Sequence, residues 1–542
     1  MRVAWFTAGL LVLLALAGVG ALLWRRFYHD DPTNTARRVF KNSAVTFGMR
    51  LVVRGLDLVF AFVLYGLLSP EAIGRYEFAA LLIVQYLGTV TEFGLGVLLT
   101  REVARDPSAA RRLFGVTLAL RLLMVAAAVV PAALVIGSYE LLAATGVGEA
   151  LSREGQQAIW VLLLTLIPSA YSGAVTALYN ASERMEVPAL MELITGVVSF
   201  LARIAVVLLG LGVIGLAWAA VGASTFTALV FLGLQLRSFF PPSLAWDWPM
   251  ARRIVPMALP LMLNNLLGAV FFRFDTYIVR AFGGGQGDTL VAQYNLAYKV
   301  VGIAMILPPA VTFAVFPLLA RRATGERAGM REAQNRTLQL LMALAFPLAM
   351  GMSVLAHELV RFFTRAEFAA YQPSVTALAI LAWFLPLSFA NGLLQYALIA
   401  VDRQAAITRA FLIGAAANIG ANLIAIPTAS IVLGQPAWGL YAAAVITILS
   451  ELLLYVIFRP LLLAEGLRPP LLAVSWRPAL AALAMGIAML AALVTIPGSP
   501  WARAVVAALV APPVYVAALW AIGGVGAAER ELALRILGRA PR

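Results

Sequence analysis

Apolar stretches of about twenty residues or more alternate with short polar punctuation from one end of the chain to the other. At about 20 residues per membrane-spanning helix, the pattern predicts fifteen spans: 3–24, 43–68, 75–99, 113–137, 158–181, 188–210, 213–236, 254–282, 290–319, 336–359, 372–400, 405–428, 437–460, 476–496 and 503–524. Several are longer than a bilayer needs, which implies tilt, kinks or interfacial ends rather than further spans. Prolines fall inside many of them, among them Pro256, Pro260, Pro347 and Pro512. Such breaks are tolerated where neighbouring helices re-satisfy the backbone. The predicted class is an all-α polytopic membrane protein.

Basic residues gather in alternate connections. One set runs through Arg25, Arg26 and Lys41, then Arg101 to Arg112, then Arg321 to Arg336, and ends in the tail from Arg530 to Arg542; it holds 26 in all. The opposite set holds five, Arg75, Arg153, Arg361, Arg365 and Arg503. The positive-inside rule then places residues 25–42 and the C-terminus in the cytoplasm. The first span carries Arg2 and Ala15-Leu16-Ala17, features of a signal peptide, yet runs on through Leu22-Leu23-Trp24 to Arg25-Arg26. The reading is a retained anchor with its N-terminus outside.

A weak internal repeat divides the rest. Asp57 is followed nineteen residues later by Tyr76, and Asp275 nineteen residues later by Tyr294; an arginine, Arg54 or Arg273, precedes each acid. The expected organisation is an anchor and linker (1–42), a six-span N-lobe (43–237), a six-span C-lobe (238–465), and two terminal spans with a basic tail (466–542). The two lobes are expected to be related by a pseudo-two-fold.

Composition narrows the chemistry. Apolar residues make up 62% of the 542, charged residues 12%, and mean hydropathy is +0.91; lipid is the solvent for most of this chain. With no cysteine and two histidines, His29 and His357, thiolate chemistry and a histidine-rich metal site are excluded; no metal and no cofactor is expected. The net charge of +14 is the arithmetic of cytoplasmic arginines, not a nucleic-acid surface. Gly283-Gly284-Gly285-Gln286-Gly287 lacks the Lys-Ser/Thr that follows a phosphate loop, and the longest outer loop runs only from Ser138 to Gln157. The expectation is a transporter, not an enzyme.

Ionisable groups inside spans then carry the functional reading, because each is costly unless paired or wet. Arg50, Arg54 and Asp57 occupy positions i, i+4 and i+7 and form one stripe on the first lobe helix. Glu77 lies on the next helix, as does Glu92, which shares a face with Gln85 and Thr89. In the second lobe stand Arg273, Asp275, Asn295 and Lys299. The bland alternatives are structural pairs, Arg54 with Asp57 and Lys299 with Asp275. Arg121, Arg203, Arg409 and Glu451 also lie within spans, and Asn418 and Asn422 share a face; packing hydrogen bonds account for these equally well.

Lys41-Asn42-Ser43-Ala44, the run Leu68-Ser69-Pro70-Glu71-Ala72-Ile73-Gly74-Arg75-Tyr76, Arg273-Phe274-Asp275, Tyr294-Asn295-Leu296-Ala297 and Val315-Phe316-Pro317-Leu318-Leu319 resemble the polysaccharide transporter family. These are oligosaccharide flippases of the Wzx type, in the superfamily that also holds lipid II flippases and MATE extruders. The resemblance covers about residues 38–465 and implies fourteen helices, so the 3–24 span departs from it. It implies alternating access that moves an undecaprenyl-diphosphate-linked oligosaccharide outward for cell-surface polysaccharide synthesis. The implied partners are the lipid-linked glycan, membrane lipids, a polysaccharide polymerase and glycosyltransferases. No family motif transfers residue by residue. On burial and charge, Arg50, Arg54, Arg273 and Lys299 are the candidate diphosphate ligands, and Asp57, Glu77, Glu92 and Asp275 the candidate ion-coupling acids. Rival readings are a lipid II flippase and a MATE-like cation antiporter.

Overall fold

The computed structural model describes residues 35–524 except 147 and 324, with only the backbone given for 35–47 and 50. The expected 3–24 span and the basic tail fall outside the described residues. The regular structure among those described is all helical, with no strand. In chain order the helical segments are α1 (Thr35–Leu67), α2 (Pro70–Arg105), α3 (Pro107–Ala144), α4 (Arg153–Ala181), α5 (Glu186–Leu208), α6 (Gly212–Ser238), α7 (Trp248–Arg273), α8 (Asp275–Ala281) and α9 (Gly284–Ala323). They continue as α10 (Arg327–Val354), α11 (Ala356–Ala400), α12 (Gln404–Val432), α13 (Ala437–Ala464), α14 (Leu471–Thr495) and α15 (Pro500–Ala521). Thirteen are long and apolar enough to cross a membrane. To these α1 adds 33 residues, about 50 Å of helix at 1.5 Å per residue.

Several spans are broken rather than straight. In α2 a stretch of wider π-helical turn, Leu81–Leu87, precedes two left-handed residues, Phe93 (φ 54°) and Gly94 (φ 69°), where the helix restarts at Leu95. The predicted span at 254–282 is interrupted at Phe274, between α7 and α8. The chain expected to form an outer loop after residue 359 instead folds as the helix Ala356–Thr364, followed by 3-10 turns to Tyr371.

The chain falls into two compact units. The first comprises residues up to Val270 together with Gly284–Ala292, so most of α7 belongs to it. Within it α1 packs along α5, and α5 along α6. Its core gathers Leu98, Phe114, Val175, Tyr179, Phe231 and Ala258. The returning strip Gly284–Ala292 is held by Tyr65, whose hydroxyl donates to the Ala292 carbonyl at 3.4 Å. Gly74 is required there, since a Cβ would overlap the Asp288 carbonyl.

The second unit comprises Phe271–Gly283 and Gln293 onward. Here α12 packs on α13, α11 on α13, and α14 pairs with α15 and lies against α10. Small residues allow that last approach: Ala481, Ala482, Ala507 and Ala511 form the seam with Met485, Met489 and Tyr515. Close backbone approach through small residues is how helices gain contact in lipid, where burial from water gives no drive.

Candidate functional site

The polar groups of the first unit gather along α1. Asp57 and Phe60 stand one turn apart on α1, as Ser199 and Arg203 do on α5. The packing of these two helices brings the pairs together. Arg203 donates through Nη2 to Asp57 Oδ1 at 3.2 Å and through Nε to the Ser199 carbonyl at 3.2 Å. Its guanidinium stands 4.3 Å over the Phe60 ring, and Tyr76 lies beside both Arg203 and Asp57. The expected alternative pair, Arg54 with Asp57, is therefore not formed: the carboxylate turns to α5. Arg54, one turn earlier, is exposed and has no ion pair among the described residues. The Asp57 side chain, despite its bond to Arg203, remains 47% exposed. The Arg50 side chain is outside the described residues.

Glu92 is committed to the break in α2. Its Oε2 accepts from Gly94 N at 2.8 Å and its Oε1 from Gly96 N at 2.7 Å, so one carboxylate caps the restarted helix. Such a charge at a helix N-terminus is favourable. The same Oε1 accepts from Arg121 Nη2 at 3.1 Å. Arg121 is buried, and Gly96 and Gly173 leave the volume its guanidinium fills. Gln85 and Thr89 do adjoin, Thr89 Oγ1 donating to the Gln85 carbonyl at 2.6 Å. Glu77 is half-buried on α2.

In the second unit the acid is dry. Asp275, 2% exposed, accepts through Oδ2 from the Tyr294 hydroxyl at 2.5 Å and from Thr447 Oγ1 at 3.4 Å. Tyr298 joins the group, its hydroxyl 3.1 Å from the Phe272 carbonyl and 3.3 Å from Thr447 Oγ1. Arg273 stacks over the Tyr298 ring at 4.5 Å and donates to Asn295 Oδ1. Hydroxyls from α9 and α13 thus surround the Asp275 carboxylate. Lys299 is half-buried, one turn beyond Asn295. The nineteen-residue spacing seen twice in the sequence has a local meaning in each unit: it sets a tyrosine of the next helix beside the acid of the first.

Deeper in the same unit, Asn418 Nδ2 donates to Ser450 Oγ at 2.8 Å, and Asn422 to Asn418, as their shared face requires. Glu451 is held by Asn391, Nδ2 to Oε2 at 2.6 Å. Sequence reasoning singled out Arg203 and Glu451 as intramembrane charges without finding their partners. Phe60, Tyr298 and Asn391 carried no signal of their own inside apolar runs.

The arrangement therefore offers exposed charge on α1 and, around Asp275 and Glu451, buried polar clusters. Among the described residues no group of acids and histidines is placed to hold a metal ion in the usual way.

Comparison with known proteins places the chain. A family described as polysaccharide biosynthesis protein matches residues 39–322, and the MatE family matches 260–424. The probable flippase AglR of Haloferax volcanii is 25% identical over 279 residues, covering 50% of this chain and 54% of that protein. The chain thus spans about half the length of this curated relative. Among solved structures, lipid II flippase MurJ in an inward closed conformation superposes with a TM-score of 0.65 at 14% identity, covering 91% of this chain and 99% of that one. An inward-facing multidrug resistance MATE transporter of the MOP superfamily superposes with a TM-score of 0.63 at 14% identity, covering 76% and 95%. At such identities the likeness is one of fold. The chain belongs to the polysaccharide biosynthesis protein family, on the helical fold it shares with these transporters.

Proposed function

We propose that this protein is a membrane transporter that moves a polyprenyl-diphosphate-linked oligosaccharide across the bacterial inner membrane for cell-surface polysaccharide synthesis. The observation that carries the reading is the exposure of Arg54 and Asp57 on α1. Arg54 lies thirteen residues, about 20 Å, from the C-terminal end of a 33-residue helix. Charges at such depth are not left facing hydrocarbon, so this face of α1 lines water. An unengaged guanidinium there suits a diphosphate, which it binds through paired charge-assisted bonds. Arg50, one turn further along the same stripe, Arg273 and Lys299 complete the proposed cationic set. Asp57, Glu77, Glu92 and Asp275 are the proposed coupling acids, with Glu92 already engaged as a helix cap.

The family and the probable flippase relative support this substrate class. Lipid II presents the same polyprenyl diphosphate, so the likeness to a lipid II flippase fits the same proposed cations. Organic cations, the cargo of a MATE-like antiporter, are disfavoured by an exposed arginine with no ion pair among the described residues.

Arg54→Gln tests the reading in vesicles loaded with a labelled undecaprenyl-diphosphate oligosaccharide. Loss of one charge-assisted contact corresponds to about one to two decades in substrate affinity, with protein level unchanged. Transport by Arg54→Gln at the wild-type rate, or transport of lipid II but not of the oligosaccharide by the wild type, would overturn the assignment.

A further inference from the structure

The connection between α6 and α7, residues 239–247, carries no helix, and its side chains alternate. Pro242, Leu244, Trp246 and, opening α7, Trp248 are exposed, Leu244 at 67%. Ser243, Ala245 and Asp247 turn partly inward. A period of two marks extended chain with two faces. Here the outward face is the apolar one and the inward face is small or polar, the reverse of a loop in water.

The segment is clamped in that orientation. Phe239 and Phe240 pack edge-on against Tyr179 and Phe114, with ring centres 5.0 and 5.7 Å apart. The buried Gln235 donates through Nε2 to the Phe240 carbonyl at 3.2 Å and accepts from the Tyr171 hydroxyl at 2.6 Å. At the other end Asp247 is held by Arg112 and by Met250 N. Between them the chain lies on Gly115 of α3, where a Cβ would come within 2.9 Å of the Ser243 carbonyl. Gly115 stands eight residues past Pro107, about 12 Å into α3. The segment therefore runs along the flank of that helix, not beyond its end. Trp246 and Trp248 stack, 6.0 Å between rings 24° apart, and the Arg252 guanidinium stands 4.8 Å over Trp248. Arg237, Arg252 and Arg253 flank the row and Arg111 adjoins Arg112; these four are exposed, and none has an ion pair among the described residues.

We propose that Leu244, Trp246 and Trp248, with Arg237, Arg252 and Arg253, form a docking surface for anionic phospholipid in the leaflet at this end of the spans. The indoles and Leu244 sit at the boundary of headgroup and acyl chain, where tryptophan is favoured. The guanidiniums take the lipid phosphates through charge-assisted bonds, and a surface of net negative charge holds them better than a zwitterionic one. Both ends of the connection are ends of spans, and its path along α3 turns the row sideways, toward lipid. A row lying beneath the helix ends would instead suit a soluble protein. The inference does not rest on the substrate assignment, and its test needs no transported molecule.

The chain has no cysteine, so Leu244→Cys gives a single labelling position and leaves both indoles in place. The full chain, carrying a nitrobenzoxadiazole fluorophore there, is reconstituted in phosphatidylcholine mixed with phosphatidylglycerol. Nitroxide-bearing lipids are expected to quench the label, and aqueous iodide to leave it bright. At equal content, nitroxide-bearing phosphatidylglycerol should quench more than nitroxide-bearing phosphatidylcholine. Arg252→Gln with Arg253→Gln, both at exposed positions, should reduce that preference at least about fivefold. Quenching by iodide without quenching by lipid overturns the proposal and marks the row as a surface for a soluble partner; this arm needs no arginine variant to fold. Equal quenching by the two lipids overturns it as well, as does a phosphatidylglycerol preference that persists undiminished in the double variant.

Discussion

Arg203 determines what Arg54 is free to do. The i, i+3 spacing of Arg54 and Asp57 allows a pair on one helix, but Asp57 instead meets Arg203, whose guanidinium is already fixed by Ser199 and by the Phe60 ring. A planar guanidinium stacked on an aromatic face loses little more freedom when it adds a hydrogen bond. The exchange Asp57→Arg with Arg203→Asp should therefore restore the protein level that either single change lowers. Asp57→Arg with Arg54→Asp should not, since it leaves two cations, residues 57 and 203, facing each other. Because Asp57 is half-exposed, Arg203→Gln alone should lower stability by only about 1 kcal/mol. Immunoblot levels and unfolding midpoints of the five variants check the pairing.

At the scale of elements, the break in α2 is built from both sides. Glu92 supplies the acceptor for the restarted helix, and Arg121, pressed between Gly96 and Gly173, holds Glu92 from α3. A methyl group at Gly173 would enter the space of the Arg121 guanidinium, so Gly173→Ala should lower the unfolding midpoint although alanine favours helix. An unchanged or raised midpoint would show that Arg121 can move aside. A second device lies outside the spans. Asp247 accepts from Met250 N at the start of α7 and pairs with Arg112 of α3; the backbone bond first, then the arginine, holds its carboxyl below the usual range. A depressed folded value adds stability that is full above the unfolded value of about 4 and is lost as pH falls through the folded one. Asp247→Asn should lack this contribution at neutral pH and should lose less than the wild type on acidification, as unfolding midpoints across that range will show.

For the whole molecule, orientation is the property that every functional statement needs. Arginine asymmetry across alternate connections predicts the turn near Gln286 outside and the connection near Ala328 inside. Reporter fusions after Gln286 and after Gly498 should read outside, and a fusion after Ala328 inside. A reversed signal at any of them would break the count of spans on which the orientation rests. The two units differ in how they keep charge: the first leaves Arg54 and Asp57 exposed, whereas the second encloses Asp275 and Glu451.

The sequence by itself determined the class of the protein and the rough limits of most helices among the described residues. Hydrophobic length is set by bilayer thickness and needs no tertiary information. It also singled out the charged residues worth following, because an arginine or acid inside an apolar run is costly wherever it ends up. It did not determine their partners. Arg203 and Asp57 are 146 residues apart, Asn391 and Glu451 60, and Thr447 and Asp275 172. Periodicity along one helix says which residues share a face but not which helix that face meets. The breaks at Phe93–Gly94 and Phe274 were invisible for a related reason: neither carries proline, and the first is held by Glu92 and by the buried Arg121. Those features belong to the packing, where a pairing forms only once both helices have been brought side by side.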